Sequence, residues 1–237
     1  MRVSLFVTCL VDQLWPAVGE ATADVLERAG CEVLFDARQT CCGQPAYNAG
    51  HRVEARAVAR HFLDVYEGVD AIVVPSGSCA AMTHHMAELF EDERDRERAR
   101  SIAARTHDLA SFLVHTLGAP DLGARFDGRV TWHDACHGLR ELGLRAEPRR
   151  LLASVRGLEL VEAQRSESCC GFGGTFSVKY PEISVAMVDR KLEELAELGV
   201  DAIVSGDASC LMQIGGRLAR TGGGARAMHL AEVLAGR

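Results

Sequence analysis

The 237-residue chain lacks most of the signatures by which a sequence declares its compartment or its catalytic chemistry. No apolar stretch approaches the ~18–20 residues that span a bilayer. The apolar run Val3–Val11 is short, contains Thr8 and Cys9 and leads straight into Asp12, which does not read as a secretory signal. Positive charge is not in excess: 26 Lys and Arg stand against 33 Asp and Glu, a net charge of −7. A nucleic-acid or anionic-membrane surface is therefore not the expected main partner. Neither a GxGxxG nor a GK[ST] phosphate loop is present, and Gly171-Phe172-Gly173-Gly174 fits neither pattern. No Ser-His-Asp order and no paired carboxylates stand out. With 48% apolar and 25% charged residues the composition is that of a globular protein with a sizeable core, and a cytoplasmic location is expected.

What the chain does have is nine cysteines, eight of them placed by one rule used twice. Cys9, Cys41, Cys42 and Cys79 form one set. Cys136, Cys169, Cys170 and Cys210 form the other, following their counterparts by 127, 128, 128 and 131 residues. Each adjacent pair is followed by glycine, Gly43 or Gly171. Other segments repeat as well. Gly68-Val69-Asp70-Ala71-Ile72-Val73 matches Gly199-Val200-Asp201-Ala202-Ile203-Val204 residue for residue, and both lead to Ser-Cys. Gly30-Cys31-Glu32-Val33 aligns with Gly157-Leu158-Glu159-Leu160, and His107-Asp108-Leu109-Ala110 resembles His229-Leu230-Ala231. The chain reads as a duplicated unit, residues 1–119 and 129–237, joined by a linker containing Pro120, Gly123 and Gly128.

Within each half, apolar β-branched runs alternate with segments of helical periodicity. Strands are expected at Val3–Cys9, Glu32–Phe35, Ala71–Pro75, Val130–His133, Leu158–Glu162 and Ala202–Ser205. Helices are expected at Trp15–Ala29, Val53–Tyr66 and Ile183–Leu198, the last with Pro181 near its start. The fold class is α/β, two duplicated halves each with a mainly parallel sheet. Cys9 and Cys136 then end first strands, the Cys-Cys pairs follow second strands, and Cys79 and Cys210 follow third strands. Carboxyl ends of parallel strands share one edge, so each set of four converges despite its wide spacing.

Four thiolates suit an iron–sulfur cluster or a tetrahedral zinc. In a reducing compartment nine cysteines favour ligands or reactive thiols over structural disulfides. Adjacent cysteines aim poorly at one small ion and more easily at separate corners of a cluster, and glycines beside them permit close approach. A cluster, zinc and a regulatory disulfide all remain open on the residues alone, as does whether the two sets hold one shared centre or two.

The segments CCGQPAYNAG, SCCGFGGTFSVKYPEIS, HDACHG, SGSCAAM and GDASCLMQIGG resemble the cysteine-rich CCG-domain proteins, and are most similar to the lactate utilization protein A family of bacteria. The resemblance covers nearly the whole chain. It implies an iron–sulfur protein, with 4Fe-4S as the expected cluster and one or two per chain, held by Cys9, Cys41, Cys42, Cys79, Cys136, Cys169, Cys170 and Cys210. It also implies two companion proteins, with which the chain oxidises L-lactate to pyruvate. The cluster-bearing subunits of heterodisulfide reductase and glycolate oxidase are related. Heterodisulfide reductase subunits carry a further cysteine three residues after the one matching Cys79 or Cys210; here those positions are Met82 and Gln213. The alternatives are thus a heterodisulfide-reductase-like thiol enzyme and a non-enzymatic zinc or redox sensor. No hydride carrier is visible in the chain, so electron transfer within an oxidoreductase complex is expected rather than a complete lactate dehydrogenase, and no catalytic residue is assigned.

Other residues have simpler readings. Cys31 pairs with Leu158 in the repeat and is expected to be a buried, inert thiol. His137, beside Cys136, is a candidate for contact with cluster or substrate. His84 and His85 have no clear partner, and His107 and His229 suit capping or packing. The run Glu91–Arg100 reads as an exposed helix laced with i,i+4 ion pairs. Lys179, Tyr180 and Arg190 lie near the second site in sequence only.

Overall fold

A computed structural model describes all 237 residues as two four-stranded, wholly parallel sheets. The first contains β1 (Arg2–Leu5), β2 (Glu32–Leu34), β3 (Ile72–Val74) and β4 (Thr106–Asp108), in the order β2-β1-β3-β4. The second contains β5 (Arg125–Trp132), β6 (Arg156–Leu160), β7 (Ala202–Ser205) and β8 (Arg226–His229), in the order β6-β5-β7-β8. The two orders are the same, so the duplication read from the sequence is a duplication of topology. In each sheet the winding reverses between the first and third strands, which opens a crevice at their carboxyl ends.

Helices of the first half are α1 (Cys9–Leu14), α2 (Pro16–Arg28), α3 (Gln44–Asn48), α4 (Arg52–Val65), α5 (Gly77–His85), α6 (Glu93–Ala103) and α7 (Leu109–Ser111), the last running on as a π-helical turn, Phe112–Thr116. Those of the second half are α8 (Cys136–Arg140), α9 (Ala146–Ala153), α10 (Thr175–Lys179), α11 (Pro181–Ala196), α12 (Ala208–Thr221) and α13 (Leu230–Ala235). Pro16 and Pro181 both open helices, where a missing N–H costs nothing. No helix is long and apolar enough to cross a membrane.

Three expectations change. The first strands end earlier than expected: β1 stops at Leu5 and β5 at Trp132, so Cys9 and Cys136 do not end strands but open short helices a few residues on. Thr8 makes that turn at φ +75° and ψ 153°, a positive-φ conformation uncommon for threonine. β5 also begins at Arg125, inside the segment expected to be linker. In addition, each sheet has a fourth strand not foreseen, β4 or β8, ahead of its last helix.

The largest core joins the halves. Val3, Val25, Leu26 and Val73 belong to it together with Val130, Trp132, Leu152, Val204 and Leu234. Packing between halves is reciprocal. α13 lies on α2 as α7 lies on α9, and α5 lies on α8 as α12 lies on α1. The α5–α8 approach is close because neither Gly77 nor Gly138 has a side chain; a Cβ on Gly77 would stand 3.3 Å from the Gly138 Cα.

Candidate metal centre

The reciprocal packing brings both crevices to one place. A cavity of about 430 Å³ is lined by Cys9, Cys41, Cys42, Cys79, Cys136, Cys169, Cys170 and Cys210, the whole of both sets. Four come from the first turns of helices: Cys9 opens α1, Cys136 opens α8, Cys79 lies in the first turn of α5 and Cys210 in that of α12. The other four sit on the loops after β2 and β6.

Those loops are built alike. Gly43 and Gly171 each adopt φ +85°, and each donates its N–H to the sulfur two residues back, Cys41 Sγ or Cys169 Sγ, at 3.4 Å. At both positions the backbone has a left-handed φ that glycine adopts without strain. A Cβ on Gly171 would lie 2.5 Å from the Ser184 carbonyl oxygen; on Gly43 it would meet Val58 at 3.3 Å.

All nine cysteines are free thiols. Close approaches pair them within each set: Cys9 with Cys41 at 3.6 Å, Cys42 with Cys79 at 3.3 Å, and Cys170 with Cys210 at 3.1 Å. Packed together, the sulfurs compete for protons. The hydrogen bonds from Cys42 and Cys9 hold the Cys41 thiol down at about 3. Hydrogen bonding to Cys41 and then burial push Cys9 up, and Cys42 is raised by Cys41, by Cys79 and by its burial. Cys169 is raised by Cys170 and by burial. A cation among these sulfurs would replace the shared protons, so the donor set fits a thiolate-bound metal group.

The remaining candidates separate cleanly. His137 lines the cavity, with Nδ1 3.5 Å from Cys136 Sγ and Nε2 3.4 Å from Gln44 Nε2 across the interface. His85 bonds Glu88 at 3.0 Å and Glu141 at 2.9 Å, while His84 is exposed. Cys31 is buried in the large core, away from the cavity. Lys179, Tyr180 and Arg190 do not line the cavity and point no chemistry at it, although Val178 and the Phe172-Gly173-Gly174 loop do line it. The Glu91–Arg100 run forms most of α6. Its ion pairs fall at i,i+3 and i,i+7 and reach across to Arg60 and Asp64 on α4, rather than keeping the i,i+4 spacing. His229 caps α13, accepting from the Ala231 N–H at 3.1 Å; its counterpart in the first half is the α7 cap Asp108, not His107.

Three residues escaped the sequence reading. Asp207 caps α12 and also accepts from the Ser78 N–H of α5 at 2.8 Å, so one carboxylate fastens both cysteine-bearing helices. His133 is 2% exposed, neither ring nitrogen has a hydrogen-bond partner, and one of them lies with Cys170 Sγ and Cys210 Sγ in a group whose atoms are all within 4.8 Å of one another. Burial, and then the charge of Lys191, hold His133 down at about 3. Lys191 is also 2% exposed, and its ammonium donates to the Ser166 and Ser168 carbonyls at 3.2 and 3.1 Å, pinning the loop before Cys169. The available signal was a polar residue at an apolar position: His133 closes an apolar strand, and Lys191 lies on the buried face of α11 among Val188, Leu192 and Leu195.

Comparison with known proteins agrees with this architecture. The family model described as "Cysteine-rich domain" (CCG) matches twice, at residues 3–83 and 130–215. Lactate utilization protein A of Exiguobacterium sp. strain AT1b is 49% identical over 236 residues, covering 98% of this chain and 96% of that one. The protein of the same name from Geobacillus thermodenitrificans is 48% identical over 235 residues, covering 99% of this chain and 98% of that one. Among solved structures, an ABC transporter periplasmic solute binding protein from Actinobacillus succinogenes aligns over 96% of this chain and 77% of that one at 10% identity, with a TM-score of only 0.35. By full-length identity, by the doubled CCG match and by the repeated cysteine geometry, the chain belongs to the lactate utilization protein A family of cysteine-rich CCG-domain proteins.

Proposed function

We propose that the chain is an iron–sulfur electron-transfer component of a lactate-oxidising system, working with companion proteins. The observation that carries this reading is the convergence of eight free cysteines, in two equivalent sets, on one cavity. The relatives' name supplies the metabolic context. A bound iron–sulfur group supplies one-electron transfer and no hydride chemistry.

The roles of the chain's own residues follow from their placement. Cys9, Cys41, Cys42 and Cys79 are assigned as ligands in the first half, and Cys136, Cys169, Cys170 and Cys210 in the second. Every close sulfur–sulfur approach joins members of one set, which supports two centres side by side rather than one shared centre. The N–H groups of Gly43 and Gly171 remain aimed at ligand sulfurs, a contact that tunes potential. Gln213 donates to Ser184 Oγ at 2.8 Å, and Ser184 donates to the Gly171 carbonyl at 2.8 Å, which fixes the second loop. That leaves Gln213 engaged in structure where a heterodisulfide-reductase-like site would need a thiol. Met82, at the matching place in the first half, is buried core.

The test is iron and acid-labile sulfide in protein purified or reconstituted without oxygen. Native protein is expected to be brown and to contain both. Cys42→Ser and Cys170→Ser are each expected to remove about half the iron. Loss of nearly all iron in either variant would replace two centres with one shared centre. Zinc with no iron or sulfide would defeat the cluster reading.

A further inference from the structure

The two halves repeat in topology and in cysteines, but not in what stands behind the cysteines. In the first half Phe6, Phe62 and Tyr66 form an aromatic cluster there, with the Phe6 and Phe62 ring centroids 5.1 Å apart. The equivalent positions follow from the shared loop geometry. Gly43 faces Ala55 and Val58 as Gly171 faces Ser184 and Met187, which sets Phe62 of α4 opposite Lys191 of α11. Phe6 follows β1 as His133 follows β5. A buried aromatic pair in one half is thus a buried imidazole and ammonium in the other.

An apolar residue suffices to close the end of a strand, as Phe6 does at 0% exposure. Burying a histidine there with neither ring nitrogen bonded is costly unless the site provides a partner. The ring of His133 is shut from solvent, and Cys170 Sγ and Cys210 Sγ, themselves 3.1 Å apart, both lie within 4.8 Å of one of its two unbonded nitrogens. Histidine nitrogen and thiolate sulfur are the donors of mixed iron–sulfur and zinc sites. Lys191 is engaged by the carbonyls of the Ser166–Ser168 loop and does not compete for that nitrogen.

We infer that the two centres are unlike, and that His133 is a nitrogen ligand of the second one alone, standing beside Cys170 and Cys210. The inference rests on the cluster reading proposed above. It gives the second centre a neutral nitrogen donor beside its four cysteines, which the first centre lacks.

The experiment uses the full chain, labelled with ¹⁵N-histidine, reconstituted without oxygen with ferrous iron and sulfide, reduced, and read by pulsed EPR. Iron and sulfide are measured on the same samples. A strong histidine ¹⁵N coupling is expected in the native protein. It should persist in Cys42→Ser, which leaves the second centre, and vanish in Cys170→Ser. His133→Phe, which installs the residue of the first half, should abolish the coupling, while His137→Gln should keep it. His133→Cys provides a second variant that offers a ligand in place of the one removed: iron should be retained and the coupling lost, whether or not His133→Phe folds. Iron and sulfide present with no strong coupling in native protein would overturn the inference and leave the cluster reading intact. A coupling that survives His133→Cys, or that is lost in His137→Gln, would overturn it as well. Absence of iron and sulfide would overturn the cluster reading itself, and the inference with it.

Discussion

At the scale of single residues, the two CCG glycines show how little freedom the cysteine loops have. Fourteen glycines of the chain adopt positive φ, so that property alone does not single out the site. Gly30 has φ +84° with nothing near a prospective Cβ, whereas Gly171 at φ +85° would drive one to 2.5 Å from the Ser184 carbonyl oxygen. Gly30→Ala therefore meets only the left-handed penalty of ~1–2 kcal/mol. Gly171→Ala meets that penalty and a backbone clash as well, and is expected to cost more than ~2 kcal/mol. Urea unfolding of the metal-free protein checks both, and equal losses in the two variants would refute the close-packed loop. The eight cavity cysteines were legible in the sequence because a spacing used twice is not demanded by packing. His133 was not, although it stands in the HDACHG segment. Its meaning depends on which residue occupies the same place in the other half, and Phe6 against His133 becomes a contrast only once strands and loops are superposed.

At the scale of elements, the parallel strands and long helices were legible because apolar runs and helical periodicity are strong in Ile72–Val74, Ala202–Ser205, Arg52–Val65 and Pro181–Ala196. β4 and β8 escaped because Thr106–Asp108 and Arg226–His229 are short and end in polar residues that serve as helix caps. Those caps differ chemically in the two halves, and the difference has a pH signature. Asp108 accepts from the N–H groups of Ala110 at 2.8 Å and Ser111 at 3.4 Å, yet burial, reinforced by Asp207 and Glu147, raises it to about 7 from 3.8. Between those values the folded chain holds a proton there that the unfolded chain has released. The contribution of Asp108 is therefore full below about pH 4 and is lost as pH rises toward 7. His229, held down to about 4 from 6.5 chiefly by burial, works in the opposite sense: stability is lost as pH falls through that window. The opposing slopes hide each other in the native protein, so the informative quantity is a difference. Asp108→Asn keeps an oxygen for the cap and removes the titration. Its stability relative to native is expected to grow from pH 4 to pH 7, by on the order of a few kcal/mol, and to stay level above that. Urea titrations of both proteins across this range check it, and a pH-independent difference would remove Asp108 from the account.

At the scale of the whole molecule, the repeat is organised as two like bodies facing each other about a pseudo-twofold relation, in the manner of a symmetric dimer joined in one chain. The sequence disclosed the two bodies, but not that they share a core, because the apolar stripe of a helix does not say which sheet or helix will cover it. Here the cover is exchanged: α13 of the second half lies on α2 of the first, and α7 of the first lies on α9 of the second. Val25 and Leu26 on α2 and Leu230, Val233 and Leu234 on α13 are all buried in the joint core. Polar ties run along the same seam, with Arg28 donating to the Ala235 carbonyl at 3.0 Å and Arg237 paired with Glu20 and Asp24. Exposing even a few of these Val and Leu side chains at ~1.5–3 kcal/mol each removes a large share of the ~5–15 kcal/mol that holds a domain folded. The cavity has the same dependence, since α5 carrying Cys79 rests on α8 carrying Cys136, and α12 carrying Cys210 rests on α1 carrying Cys9. Cutting the chain between Ala119 and Pro120 is therefore expected to give two fragments that lack dispersed amide NMR spectra and bind no iron when produced alone. Produced together, they should recover a one-to-one complex that takes up iron and sulfide. If either fragment alone folds cooperatively as a monomer and retains about half the iron, the cysteine sets are independent sites and the shared core is not what positions them.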